Sequence, residues 1–178
     1  MAAADALALP FPAASFGVVV CQFGAMFFPD KVAGYKEARR VLRSGGHLIF
    51  NVWDRISENE FADVVTQSLA TLFPQDPPRF MARIPHGYHD VEKIRAELTA
   101  AGFKEISIAT VDGKSRASSP REPAIAYCEG TPLRNEIEAR DASRLADATK
   151  TAAEALERRF GKGPIEGRIR AHVIVSVC

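Results

Sequence analysis

Two short stretches of this 178-residue chain mix polar groups with aromatic faces, as a ligand cleft requires. The first is Cys21, Gln22, Phe23 and Gly24, and the second is Asn51, Val52, Trp53 and Asp54. A third stretch, Arg83 to Tyr88 followed by His89 and Asp90, gathers two histidines and an acid. His86 and His89 stand three apart with no third ligand at a defined spacing, so the reading is a substrate-facing loop and no metal. Cys21 does not read as a nucleophile. A nucleophile elbow needs small residues two positions to either side, and here those are Val19 and Phe23.

The elements that carry these stretches follow from hydrophobic period. Phe16 to Cys21 is a continuous, β-branched apolar run, which predicts a strand buried on both faces. Asp30 caps a helix with its apolar stripe on Val32, Tyr35, Ala38, Val41 and Leu42. Arg43 closes that helix and Gly45-Gly46 stop it. His47 to Trp53 is a second buried strand, and the three elements make one right-handed βαβ unit. Ligands of open α/β sheets bind beyond the carboxyl ends of the strands, which is where both mixed stretches fall.

Downstream, Ser57 and Glu60 read as a capping box opening a helix on Phe61, Val64, Val65, Leu69 and Leu72. A proline-rich loop follows. Asp90 opens a helix on Val91, Ile94 and Leu98 that Gly102 closes, and Phe103 to Val111 is a strand. Ser119 and Glu122 read as a second capping box with Pro120 at the first helical position. A long helix is expected over about residues 141–160, with the stripe Leu145, Thr149, Ala152 and Leu156. In the last strand Ile169, Ala171, Val173, Val175 and Val177 alternate with Arg170, His172 and Ser176.

Hydrophobic residues are 47% of the chain and charged residues 25%, an ordinary globular balance. The net charge of +1 gives no basic footprint, so no nucleic acid is expected. The uncharged stretch from Ala6 to Pro29 is broken by prolines, glycines and polar residues, so no membrane span or signal peptide is expected. Cys21, Cys128 and Cys178 have no paired spacing, which points to a reducing, cytoplasmic setting. The expected architecture is α/β: about four strands, parallel with a mixed edge, and flanking helices. It reads as one domain over 1–178, divided into a βαβ stretch (1–54), a helix with a lid-like loop (55–90) and C-terminal helices with edge strands (91–178).

In order and spacing, several motifs resemble the middle and C-terminal part of a class I S-adenosylmethionine-dependent methyltransferase, of the quinone-biosynthesis, small-molecule type. They are Asp5 to Phe11, Ser15 to Gly24, Met26 to Asp30, Glu37 to Gly46 and His47 to Trp53. Gly17 and Ser44 depart from that pattern, which has Asp and Pro there. The resemblance implies an incomplete Rossmann-like sheet and S-adenosyl-L-methionine as cofactor. It puts Asp5 against the adenine amino group and the backbone of Ala6 against a ring nitrogen. Cys21, Gln22 and Phe23 would lie beside the methionine part of the cofactor, and Phe27 against ribose or adenine. Trp53, Phe80, His86 and Tyr88 are the candidate substrate residues, the last three on a lid segment. No catalytic base is assigned.

No Gly-x-Gly-x-Gly run occurs in the 178 residues, so the chain reads as N-terminally truncated and its methyl transfer to a small molecule as impaired. The alternative is a non-catalytic, methyltransferase-like binding or self-associating module. A nicotinamide-dependent oxidoreductase is disfavoured, because its dinucleotide fingerprint is missing as well. The uncharged strand at 16–21 is expected to join copies into a homodimer or higher oligomer.

Overall fold

The computed structural model describes residues 4–178. In chain order the elements are β1 (Phe16–Gln22), α1 (Lys31–Val41), β2 (Leu42–Trp53), α2 (Glu60–Leu72), α3 (Phe80–Arg83), α4 (Val91–Ala100), β3 (Glu105–Ala117), α5 (Arg121–Cys128), α6 (Leu133–Asp141), α7 (Leu145–Phe160) and β4 (Ile165–Val177). The strands form one sheet in the order β1-β2-β4-β3. β1 runs parallel to β2, with Val18 beside His47 and Gln22 beside Asn51. β4 returns antiparallel to β2, pairing Trp53 with Ala171 and His47 with Val177. The expected mixed α/β sheet is thus present.

The chain forms two compact units. The first comprises residues 1–54, 88–111 and 171–178, and the second 55–87 and 112–170. The first unit buries Leu48, Phe50 and Val52 of β2 and Ile174 of β4 with Tyr35 and Ala38 of α1, Ile94 and Leu98 of α4, and Phe103. The second buries Phe61, Val65 and Leu69 of α2 with Leu133, Ile137, Ala152 and Leu156 of the later helices. Each unit thus has its own hydrophobic core.

Caps show where the sequence signals act. Asp30 and Asp90 cap α1 and α4 as expected, each accepting backbone N–H bonds of the first turn. Gly102 follows α4 with φ +96, a conformation open to glycine. α1 ends earlier than expected: Leu42 donates to the Ala38 carbonyl, and Arg43 to Gly46 already belong to β2. The Ser57 capping box does not form. Asn59 precedes α2 instead, and its side chain bonds Arg55 and Arg170 rather than the helix. At α5 the glutamate of the second box, Glu122, reaches Ser118 instead of Ser119. The helix at α6, within the span 133–141, was not expected.

β4 reverses its expected faces. His172, Ile174 and Ser176 point into the core of the first unit, while Val173, Val175 and Val177 are only half-buried. Pairing explains it: these three inward residues stand opposite Val52, Phe50 and Leu48, the buried face of β2.

Candidate functional site at the carboxyl ends of β1 and β2

β1 and β2 end side by side, so Gln22 and Asn51 are neighbours. The Asn51 side chain reaches across and accepts the Phe23 N–H at 2.9 Å. Phe23 sits at φ +48, unusual for a residue with a side chain, and this bond fixes the turn there. The turn lays the Phe23 ring on Trp53, with centroids 4.0 Å apart and planes 17° from parallel. Two neighbouring strand ends thereby build one aromatic shelf. Gln22 is exposed beside it.

Cys21 is half-buried on the opposite face of β1, and burial pushes its thiol above the usual range despite hydrogen bonds from the Gly24 and Ala25 backbones. A side chain at Gly24 would come within 2.8 Å of the Cys21 sulfur, so the turn needs a glycine. Beyond it Phe27 is 52% exposed. Lys31 pins this loop, donating to the carbonyls of Met26 at 3.1 Å and Phe28 at 2.6 Å. Burial holds the Lys31 ammonium below its ordinary range.

Asp5 is exposed, and one of its carboxylate oxygens accepts the Leu7 N–H at 2.9 Å. The segment after it is clamped to α1. Glu37 accepts the Leu9 N–H, and Arg40 donates to the Leu9 and Phe11 carbonyls while bonding Glu37. Ala6 lines an apolar cavity of about 190 Å³ with Leu9, Val19, Cys21, Tyr35 and Phe50. Asp5, Ala6, Cys21, Gln22, Phe23, Phe27 and Trp53 therefore all lie in the first unit.

The other three sequence candidates sit differently. Tyr88 is buried in the first unit, and its hydroxyl donates to Glu97 and lies 3.0 Å from that of Tyr35. Burial raises both phenols above the ordinary range. Tyr88 is an anchor for the chain entering α4 rather than a ligand-facing phenol. Phe80 and His86 are buried within the second unit, where Glu136 accepts the Phe80 N–H. These side chains correct the expectation of a substrate-facing row, because their surfaces are taken up by packing.

The sequence reading missed one polar group. His172 Nε2 is 3.3 Å from Asp54 Oδ1, and its Nδ1 is 3.0 Å from the Thr110 hydroxyl. Asp54 and His172 are buried and Thr110 is exposed. The three groups form a hydroxyl–imidazole–carboxylate chain within the first unit. The signal was present in Asp54 directly after a strand end, but His172 fell on the supposed outer face of β4.

No described helix is long and apolar enough to cross a membrane. Residues 1–50 match the family pattern described as "Methyltransferase domain". A demethylmenaquinone methyltransferase of Mycobacterium sp. (strain KMS) is 36% identical over 102 residues, covering 57% of this chain and 44% of the relative. A ubiquinone/menaquinone biosynthesis C-methyltransferase of Stenotrophomonas maltophilia is 28% identical over 118 residues, covering 61% and 47%. The matched stretch thus spans under half of either relative. Among solved structures, a candidate methyltransferase of Bacillus halodurans C-125 superposes with TM-score 0.52 and 18% identity, over 97% of this chain and 68% of that one. At that identity the likeness concerns the fold, which is the Rossmann-like one of class I methyltransferases.

Proposed function

We propose that the chain is a member of the class I S-adenosylmethionine-dependent methyltransferase family, on the match of its residues 1–50 and its likeness to quinone-biosynthesis methyltransferases, and that it serves methyl transfer from S-adenosylmethionine to a small-molecule acceptor. The observation that carries this is the stacking of Phe23 on Trp53 at the adjoining carboxyl ends of β1 and β2.

The residues present fit the adenosine side of the cofactor. A carboxylate is acceptor-only with room for several donors, so Asp5 keeps capacity for an adenine amino group after bonding Leu7. Phe27 offers an exposed aromatic face, and Ala6 borders an apolar cavity. When bound, the cofactor supplies an already electrophilic methyl group. The protein's share is then to align an acceptor and exclude water. Phe23 and Trp53 supply a flat wall for an aromatic acceptor, and aromatic faces also attract a cation such as a sulfonium. Keeping the Cys21 thiol protonated removes a competing nucleophile, since the thiolate is the reactive form. Three free cysteines suit a cytoplasmic site for the reaction.

The 178 residues hold no Gly-x-Gly-x-Gly run, so the chain by itself binds cofactor weakly. Calorimetry with S-adenosylhomocysteine tests this. The expected dissociation constant is roughly 1 mM, about −4 kcal/mol, and weaker still in Asp5→Ala. Micromolar binding would show that these residues suffice alone. No detectable heat at any concentration would favour the second reading, a non-catalytic association module.

A further inference from the structure

We propose that Lys31 is a positioning residue for Phe27: its ammonium, seated on the face of Tyr88, clamps the turn from Gly24 to Phe28 in one conformation. This rests on the methyltransferase reading only for what Phe27 would meet. Its starting point is a local misfit. Lys31 is the first residue of α1, and beyond the Asp30 cap the first turn of that helix carries no acid. A helix start is the positive pole of the dipole, where a cation is unfavourable. Residues that break a local preference are expected at functional positions. Here the cation turns back onto the preceding segment, where Nζ donates to the carbonyls of Met26 at 3.1 Å and Phe28 at 2.6 Å. It therefore grips the backbone on both sides of Phe27.

Tyr88 closes the other side of the ammonium, its ring centroid 5.0 Å from Nζ, within reach of a cation–π interaction. That ring is itself fixed, because its hydroxyl donates to Glu97 and meets the Tyr35 hydroxyl at 3.0 Å. Glu97 and Lys93 of α4 also act on Lys31, the first favouring its charge and the second opposing it, and burial outweighs both. The same turn is held at other points. The Cys21 sulfur accepts the Gly24 and Ala25 N–H groups, and the Phe27 and Phe28 N–H groups donate to the carbonyls of Gly24 and Ala25. The Phe28 ring lies so close to α1 that a side chain at Gly34 would come within 2.6 Å of it. Met26 is buried, whereas Phe27 points outward. All these residues belong to the first unit. An aromatic side chain held from both sides is a preformed contact, which spares a ligand the cost of ordering the turn.

Amide hydrogen exchange and carbonyl carbon-13 shifts, measured by NMR on the whole chain, test the clamp. Lys31→Met keeps the apolar stem but removes the charge and the donors. Exchange of the Phe27 and Phe28 amides should then quicken on the order of tenfold, the worth of a hydrogen bond to a charged group. The amides of Leu48 to Val52 in β2 should keep their protection. Lys31→Arg should restore the slow exchange, since a guanidinium also donates to oxygens and stacks on rings. Tyr88→Phe, which keeps the ring, should leave it slow as well. In the unaltered chain, raising the pH should move the Met26 and Phe28 carbonyl signals together, with a midpoint below the ordinary lysine range. That titration should vanish in Lys31→Arg, because arginine keeps its charge. Unaltered exchange in Lys31→Met overturns the proposal. So does a loosening of β2 equal to that of the turn, or carbonyl signals that titrate alike with Lys31 and with arginine in its place. None of these measurements needs a cofactor, so a failure of the calorimetry with S-adenosylhomocysteine tells against the methyltransferase reading alone.

Discussion

The acid groups buried in this chain make its stability pH-dependent in a direction that can be worked out. Burial pushes the Cys128 thiol up to about 12, with a smaller opposing contribution from Thr149. An unfolded thiol ionises near 8.5. Between those values the native state holds a proton that the unfolded state has lost, so stability falls as pH rises. The contribution is intact below about pH 8.5 and is lost progressively toward pH 12, at about 1.4 kcal/mol per unit. Tyr35 and Tyr88 are shifted in the same direction, chiefly by burial, and add to the loss above their ordinary range near 10. Urea unfolding at pH 8 and at pH 10 should therefore differ by about 2 kcal/mol. In Cys128→Ala the slope between pH 8.5 and 10 should flatten, even though the variant is less stable overall. An unchanged slope would assign the effect to other groups.

Helix starts give the test at the scale of elements. The Asp90 carboxylate accepts the Glu92 and Lys93 amides at the head of α4. Asp90→Ala should cost about 1 kcal/mol in chemical denaturation and Asp90→Asn much less. Added zinc should change neither result, whereas a zinc-dependent stability would revive the metal reading of His86, His89 and Asp90. The same elements show what the sequence could and could not reveal. α1, β2 and α4 were legible because their apolar period and their caps agree, and β1 was legible as a strand but not as one buried on both faces, since Val18 and Val20 are 51% and 67% exposed. The helix at α6 was not, because Arg134, Glu136, Glu138 and Arg140 break its stripe and only Leu133 and Ile137 are buried. The faces of β4 were misjudged for a different reason. Alternation tells which residues share a face, but the neighbouring strand decides which face meets the core, and here His172 and Ser176 went inward. The place of Gln22 and Trp53 at the ends of β1 and β2 was readable from the apolar runs before them. The burial of Phe80, His86 and Tyr88 depends on tertiary packing that spacing does not encode.

At the scale of the molecule, the chain passes between its two units four times, at 54/55, 87/88, 111/112 and 170/171. The first unit is therefore completed only by the last eight residues, Ala171–Cys178. They give β2 its antiparallel neighbour from His47 to Trp53. They also put Ile174 into the core and close the end of the pair through the Cys178 N–H and Gly46 carbonyl. Without them, β1 and β2 would remain as a two-stranded pair, which is marginal in water. Ending the chain at Arg170 should unfold the first unit selectively. Trp53 is the only tryptophan and lies in that unit, so its emission should shift to the red and the Phe23 stack should be lost. The helical circular dichroism of the second unit, which buries Leu69, Ile137 and Leu156 in its own core, should persist in part. Unchanged Trp53 emission in the shortened chain would mean that α1 and α4 alone hold the strands, and that β4 is an accessory to the site rather than its support.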